Sequence, residues 1–341
     1  MRILNAIHNQ SIGGVEQMFR NYTIALKNSG HEVALLISKN NYDYTNVKRI
    51  FKLNNFSQIS DFFHLLWILL IFRPNLVICH SNRIMKWMKI FAKFTPIKSV
   101  AINHGISFKS SLNCDYIINI NSQIHEMVIG AGFNRENSFV IENVIENNYP
   151  YRARQLNEKT PVIAMYGRIE PRKGFDILIK AGEILAKKNY DFSLKIGGFE
   201  VEGSYGLQNV KNLAKDRGVY EKCDFVGVVY DKADFFKDVD IFVIPSREEP
   251  FGLVILESFA NSVLAISSNT IGGKMLINHG EDGILFENEN YENLAQKIIY
   301  ALENKENYCN YTKKAYEKLE KNFNFDVFSA KFGDFLTKTM K

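Results

Sequence analysis

The chain has 341 residues, 46% hydrophobic and 23% charged, a composition that excludes a disordered, collagenous or coiled-coil protein. Its length suits about two domains, and 42 basic against 37 acidic residues give a net charge of +5. Four cysteines without a CxxC pair argue against a zinc ribbon or disulfide framework and predict a reducing, cytoplasmic setting. The apolar start ends before His8 and is too short for a secretory signal.

Near-continuous apolar runs alternate with amphipathic stretches along the first part of the chain. A strand ILNAI precedes a helix from Gly14 to Asn28, and the next strands are EVALLIS, LVICH (76–80), SVAINH (99–104) and YIINI (116–120). Strands of this kind with helical crossovers predict a parallel sheet covered on both faces.

The same alternation restarts after the polar stretch from Glu146 to Thr160. Here PVIAMYG (161–167) predicts a strand and Gly174 to Lys187 a helix, followed by strands FSLKIGG, DFVGVV, DIFVIPS and VLAISS. The predicted fold class is α/β, with two Rossmann-like domains whose parallel sheets face an interdomain cleft. The predicted domains are 1–152 and 160–322, with a C-terminal helix in 323–341 expected to return to the first domain.

A glycine pair follows the first strand, in the run from Ser11 to Glu16. Gly13 and Gly14 would let backbone N–H groups approach an anion at a helix start. The spacing is not GxGxxG and no acid ends the second strand, which argues against a dinucleotide cofactor. A simple tight turn explains the glycines equally well.

A basic loop, Tyr166 to Gly174, lies between a strand and a helix where the second domain opens. Arg168 and Lys173 could converge on one diphosphate, the first as a planar fork and the second as a point charge. A solvated basic loop is the alternative.

The run from Pro245 to Glu257 crosses from a strand into a helix predicted to begin near Phe251. Glu249 precedes this helix and Glu257 is predicted about two turns inside it. Because a carboxylate accepts two hydroxyl hydrogen bonds, the pair suits a ribose diol and a sugar ring. A helix-start charge plus a surface glutamate is the alternative.

Together, in this order, the three motifs resemble the glycosyltransferase 4 family of retaining enzymes with the GT-B fold. The resemblance covers nearly the whole chain and is strongest from 161 to 286. It implies an N-terminal acceptor domain and a C-terminal domain for a nucleotide-diphosphate sugar, with a UDP-sugar expected and no cofactor or metal. It implies catalytic roles for His104, Arg168, Lys173 and Glu249. The implied donor-binding residues are Gly13, Gly14, Arg168, Lys173, Gly198, Val228, Glu249, Pro250, Phe251, Gly252, Leu253 and Glu257.

Two positions depart from the family pattern. After Ile271-Gly272-Gly273 the family has a Glu a few residues on, where this chain has Lys274-Met275-Leu276. Val144 stands where the family has Gly.

Other polar signals favour structural roles. Asp238-Val239-Asp240 is a literal DxD, but it leads into a strand, so we interpret both acids as structural, with metal binding as the alternative. His80 and His125 show no ligand partners in the sequence and are interpreted as core or surface histidines.

Residues 60–98 combine an apolar run, Phe62 to Phe72, with basic residues. Lys86, Lys89 and Lys93 recur at helical spacing, which is typical of a helix in an anionic headgroup layer. Packing of the apolar residues on the sheet, leaving a solvated lysine face, is an equally good interpretation. No nucleic-acid motif accompanies the charge.

The predicted function is transfer of a sugar to a glycan or lipid-linked saccharide in bacterial lipopolysaccharide or envelope polysaccharide synthesis. The predicted location is the cytoplasm, at the inner face of the membrane. Two alternatives stay open: a non-transferase GT-B enzyme, such as a sugar-nucleotide epimerase or a phosphorylase, and a catalytically inactive sugar-binding or membrane-surface protein.

Overall fold

A computed structural model describes residues 1–8, 13–38, 47–53, 58–146, 150–157, 159–200 and 206–340. Two compact units make up the chain, one of Met1–Val144 with Phe325–Lys341 and one of Ile145–Asn324. Ser11 and Ile12, which belong to the predicted glycine turn, lie outside the described residues.

The first unit contains a seven-stranded sheet in the order β3-β2-β1-β4-β5-β6-β7, with every neighbouring pair parallel. Its strands are β1 (Arg2–Ala6), β2 (Glu32–Ser38), β3 (Arg49–Leu53), β4 (Leu76–Cys79), β5 (Lys98–Asn103), β6 (Tyr116–Asn119) and β7 (Ser138–Val140). Its helices up to this point of the chain are α1 (Gly14–Asn28), α2 (Gln58–Phe72), α3 (Asn82–Phe91) and α4 (Ser122–Gly130).

Helices cover both faces of this sheet. The chain crosses from β1 to β2 in one direction along the strand order, and from β3 to β4 and β4 to β5 in the other. Because such crossovers are right-handed, α1 lies on one face while α2 and α3 share the opposite face. Strands buried on both sides explain the continuous apolar runs of the sequence.

The second unit contains a six-stranded parallel sheet in the order β10-β9-β8-β11-β12-β13. Its strands are β8 (Val162–Ile169), β9 (Ser193–Glu200), β10 (Cys223–Gly227), β11 (Ile241–Ile244), β12 (Leu264–Ser268) and β13 (Ile284–Phe286). Its helices are α5 (Phe175–Lys187), α6 (Leu207–Asp216), α7 (Lys232–Phe236), α8 (Leu253–Ala260), α9 (Ile271–Leu276), α10 (Tyr291–Glu303) and α11 (Tyr308–Asn322). The two parallel sheets with their helices confirm the predicted fold class of two Rossmann-like α/β domains.

The last helix, α12 (Phe325–Thr339), belongs to the first unit. Its buried Phe328 and Phe332 rings meet the Tyr22 ring edge-on, with centroids 4.9 Å and 4.8 Å away. The Tyr116 hydroxyl donates a hydrogen bond of 3.1 Å to the carbonyl of Thr339. Aromatic packing therefore ties the end of the chain to the first sheet.

The segment just after Val144 belongs to the second unit. The Tyr151 hydroxyl donates to the carbonyl of Cys309 over 3.2 Å, and the backbone N–H of Arg152 donates to the hydroxyl of Ser262 over 3.1 Å. The structure thus places the described residues of this segment, 145–146 and 150–152, with the second unit.

Candidate functional site

Three loops that follow strands of the second unit are tied to one another. The loops after β8 and β11 are joined because the N–H of Arg247 donates to the carbonyl of Arg172 over 2.8 Å. The loop after β11 is joined to the start of α9, which follows β12, because the N–H of Gly272 donates to the carbonyl of Glu249 over 2.8 Å. The carboxyl ends of parallel strands meet at one edge of a sheet, which is where such folds bind ligands.

Two glycines allow these loops to lie in backbone contact. A Cβ atom at Gly174 would lie 2.0 Å from the carbonyl oxygen of Pro245, and the residue has a left-handed φ of +74°. A Cβ atom at Gly272 would lie 2.2 Å from the carbonyl oxygen of Phe251. Any larger residue would force the loops apart, so these glycines set the geometry of the site.

Two arginines that the sequence analysis did not assign to the site connect these loops through side-chain hydrogen bonds. The Arg247 guanidinium binds both carboxylate oxygens of Asp176 at 2.9 Å, and that of Arg172 donates to the carbonyl of Glu248 over 3.1 Å. Burial opposes ionisation of Asp176, but hydrogen bonds from Arg247 and Lys180 outweigh it and lower the pKa of this carboxyl. The bidentate pair fixes the start of α5 against the loop after β11.

Lys173 and Glu249, both predicted to contact the donor, form an ion pair. The lysine Nζ lies 2.7 Å from the glutamate Oε2, and the two side chains are 17% and 12% exposed. The aliphatic part of Lys173 runs beside Gly167, where a Cβ atom would lie 3.7 Å from it. A pair this enclosed is sensitive to the loss of either partner, because the remaining charge is then poorly solvated.

Arg168 is positioned separately from Lys173. Its guanidinium lies 3.5 Å from the carboxylate of Glu170, and its side chain is 37% exposed. The same Glu170 oxygen binds Arg172 at 2.8 Å. The two predicted cations thus have different carboxylate partners in this structure.

Glu257 lies in a partly buried cluster about one turn into α8, not two turns as predicted, since the helix begins at Leu253, two residues after Phe251. It accepts a hydrogen bond from the Tyr166 hydroxyl, and its Oε2 lies 3.9 Å from Nζ of Lys232. Burial raises the pKa of Glu257, although the charges of Lys232 and Lys173 and the tyrosine hydrogen bond oppose the rise.

Tyr166 and Lys232 are functional candidates that the sequence did not reveal. The Lys232 ammonium lies 4.0 Å from the centre of the Tyr166 ring, so it contacts both members of the Glu257 cluster. A cavity lined by Tyr166, Lys173 and Ser246 lies beside this cluster. The arrangement offers a ligand two carboxylates and two ammonium groups at one sheet edge.

The other predicted donor residues lie around the same loops or on the neighbouring strands. Gly198 on β9 closely approaches β8, because a Cβ atom there would lie 2.4 Å from the carbonyl oxygen of Gly167. Val228 directly follows β10. Pro250 and Phe251 are buried before α8. Gly252 has a φ of +97° at the start of α8, and Leu253 is its first residue.

In the first unit, His104 pairs with His80, a residue that the sequence did not place in the site. Nε2 of His104 lies 2.9 Å from Nδ1 of His80, and Phe19 and Tyr22 meet the His80 ring edge-on. The outer ring nitrogens, Nδ1 of His104 and Nε2 of His80, are buried and have no hydrogen-bond partner within the described ranges. Burial lowers the pKa of His104 to about 4 and that of His80 well below its usual value, so both rings are neutral at pH 7.

Gly13 and Gly14 are exposed where α1 begins. They follow β1 at the carboxyl edge of the first sheet, the same edge at which His80 and His104 follow β4 and β5.

The acids of the DxD run have protein partners. The Asp240 carboxylate accepts hydrogen bonds from the N–H groups of Asn157 and Val162 at 2.9 Å and 2.8 Å, and Asp238 lies 2.6 Å from Lys195. Across the residues that the structure describes, no cluster of three or more His, Cys, Asp or Glu side chains could hold a metal ion.

Residues 151–318 match the family model described as "Glycosyl transferases group 1". This segment of the second unit is thus a domain of the group 1 glycosyltransferase type, a type found in a family of enzymes.

Individual relatives agree with the family. The chain is 28% identical over 214 residues to the capsular polysaccharide biosynthesis glycosyltransferase CapM of Staphylococcus aureus. The aligned residues cover 62% of this chain and 53% of CapM. It is 33% identical over 138 residues to the lipopolysaccharide core biosynthesis glycosyltransferase LpsE of Rhizobium meliloti, covering 40% of this chain and 38% of LpsE. The chain thus spans about half or less of the length of these curated relatives.

Solved structures share the fold over the whole chain. HepE of Anabaena, whose crystal structure was determined in complex with UDP, has a TM-score of 0.86 and 16% sequence identity, covering 99% of this chain and 100% of HepE. This likeness confirms the GT-B type of fold.

Proposed function

We propose that the protein is a retaining glycosyltransferase that moves a sugar from a UDP-sugar to a glycan or lipid-linked saccharide. The observation that carries this proposal is the Lys173–Glu249 ion pair beside the partly buried Glu257, at the carboxyl edge of the second sheet. A nucleotide-diphosphate sugar has matching groups, since a diphosphate seeks cations and the hydroxyls of a sugar and a ribose seek carboxylates.

Each residue takes one part of the donor in this proposal. Glu257, held by Tyr166, accepts hydrogen bonds from the ribose hydroxyls. Glu249 accepts hydrogen bonds from the sugar hydroxyls, and in doing so releases Lys173 to the diphosphate. Arg168, the more exposed cation, binds the same diphosphate.

Departure of the UDP group develops negative charge on the β-phosphate. Lys173, Arg168 and the N–H groups at the start of α8 would stabilise that charge, so the proposed reaction needs no metal or other cofactor. The acceptor hydroxyl attacks from the face of the departing phosphate, which takes its proton. Neutral His104 of the first unit is proposed to contact the reacting sugar.

The proposed biological role is envelope polysaccharide or lipopolysaccharide synthesis in the cytoplasm, at the inner face of the membrane. CapM and LpsE are named for capsule and lipopolysaccharide core synthesis, and HepE binds UDP. These relatives support a glycan or lipid-linked acceptor and a UDP donor for this chain.

A thermal-shift screen of the full chain over nucleotide sugars tests the proposal. The cognate donor raises the melting temperature because it binds the folded state, and Glu257→Gln abolishes that shift. Transfer to an acceptor then releases UDP. Conversion of the donor without acceptor would instead indicate an epimerase, and absorbance of pyridoxal phosphate in the purified protein would indicate a phosphorylase.

A further inference from the structure

Helix α2 of the first unit exposes a continuous apolar face. Ile59, Phe63, Trp67, Leu70 and Ile71 are 71%, 60%, 52%, 60% and 54% exposed. Their spacing of three to four residues places them on one side of the helix, and the opposite side is buried in the unit. Single exposed apolar residues are ordinary, but a contiguous row of large ones marks an interaction surface.

Helix α3 lies beside α2 and extends this surface. The Phe62 ring of α2 stacks on that of Phe91 with centroids 4.8 Å apart, and it meets Trp87 edge-on at 6.0 Å. Both helices lie on the same face of the sheet, as the right-handed crossovers require. Ile90 and Phe94, at the end of α3 and just beyond it, are 44% and 80% exposed.

The exposed charges of the surrounding segment are all positive. Residues 48–109 contain ten basic residues and one acid, Asp61. Asp61 is 1% exposed and lies 3.6 Å from His8 and 3.9 Å from Arg83, so it contributes no negative charge to the surface. The exposed basic residues are Lys48, Arg49, Lys52, Arg73, Lys86, Lys89, Lys93, Lys98 and Lys109. Arg49 and Lys98 have acidic partners from outside the segment.

We propose that the apolar face of α2, with the basic residues Arg73, Lys86, Lys89 and Lys93 nearby, docks on an anionic phospholipid surface. The apolar side chains enter the boundary between headgroups and acyl chains, and the cations bind lipid phosphates. The basic residues of one chain would repel the same residues of a second copy. The charge pattern therefore favours an anionic lipid surface over a dimer interface.

The helix lies in the plane of the membrane in this proposal. α2 has 15 residues, fewer than the roughly 20 that a membrane-spanning helix needs. Within the described ranges, none of the helices combines the length and apolar character required to cross a bilayer. In this proposal the inserted face lies on α2, which carries the exposed apolar row, and not on α3, where the lysine spacing predicts it.

Replacing the apolar face tests the insertion. The full chain should sediment at low salt with vesicles of phosphatidylglycerol and phosphatidylcholine in equal parts, and not with phosphatidylcholine alone. The triple variant Phe63→Ser, Trp67→Ser, Leu70→Ser should bind at least about tenfold more weakly, since each serine removes apolar area from the interface. A control, Ile24→Ser with Met127→Ser, removes exposed apolar side chains of α1 and α4 and should bind like the wild type. Circular dichroism verifies that each variant is folded.

Reversing the charges tests the lipid headgroup. Lys86→Glu, Lys89→Glu and Lys93→Glu together should weaken vesicle binding by more than about a hundredfold, because each surface cation contributes about fivefold. Added salt should weaken wild-type binding for the same reason. The matched control reverses three exposed lysines of other helices, Lys314, Lys321 and Lys338.

Two outcomes would overturn the proposal. One is wild-type protein that does not sediment with the anionic vesicles. The other is a dimer, detected by light scattering, that the serine variant converts to a monomer, since the α2 face would then bind a second copy. Neither measurement uses donor or turnover, so failure here leaves the proposed transferase activity standing, and failure of donor binding leaves the membrane surface standing.

Discussion

Replacement of Lys173 by Met should lower both stability and turnover, because it leaves Glu249 without its partner. The substitution keeps the length of the side chain but removes an ammonium that lies 2.7 Å from a carboxylate only 12% exposed. Breaking a buried pair from one side costs about 3 to 5 kcal/mol. Since this pair keeps some contact with water, we expect about 2 to 3 kcal/mol.

The double variant Lys173→Met, Glu249→Gln separates the ion pair from other effects. With both charges removed, much of the lost stability should return, giving a coupling energy of about 2 kcal/mol in a double-mutant cycle. Differential scanning calorimetry of the full chain measures it. The control is Lys180→Met, which breaks a more exposed pair with Asp176 in the same unit and should cost less than about 1 kcal/mol.

Turnover provides the second measurement on the same variants. Lys173→Met should be slower by about a hundredfold, as loss of a transition-state donor typically is, and Lys180→Met should be near normal. Additive stability losses in the double variant, together with normal turnover of Lys173→Met, would refute the reasoning.

Three further predictions concern metal, backbone and pH. Activity should survive EDTA, because the acids Asp238 and Asp240 are engaged by protein groups; loss restored by Mn²⁺ would contradict this. Gly174→Ala should destabilise the protein by about 3 kcal/mol and weaken UDP binding, while Gly218→Ala, with a similar φ of +69° but open space, should cost only about 1 kcal/mol. The pKa of His104 is lowered from 6.5 to about 4, so the unfolded chain takes up the proton first, and this group should lower stability by about 3 kcal/mol between pH 6.5 and pH 4. Because the lowered pKa of His80 acts in the same direction, His104→Asn should reduce this slope in urea titrations without removing it.

Most of the fold follows from the apolar pattern. The helix Gly14–Asn28 and the strand Glu32–Ser38 have the predicted bounds, since their periodicity is regular and their ends carry turn residues. Strands β3, β7 and β13 were not predicted. β7 and β13 have three residues each, too few to show a period, and β3 is a largely exposed edge strand with the mixed sequence RIFKL.

The sequence identified the residue types of the site better than their partners. Lys173 and Glu249 were both assigned to the donor, but an ion pair across 76 residues of chain leaves no local signal. His80 could have been found, because it and His104 each directly follow one of two neighbouring parallel strands. Tyr166 and Lys232 can be identified as site residues only from the fold, because it is the fold that brings β8 and α7 next to Glu257.

Calorimetry with UDP and the cognate UDP-sugar tests the donor site most directly. Glu257→Gln should weaken both ligands, since its proposed partner is the ribose that they share. Glu249→Gln should weaken only the UDP-sugar, and it should leave UDP affinity unchanged or higher because the carboxylate no longer competes with the diphosphate for Lys173. Equal losses for both ligands in Glu249→Gln, or an unchanged affinity for UDP in Glu257→Gln, would contradict the assignment.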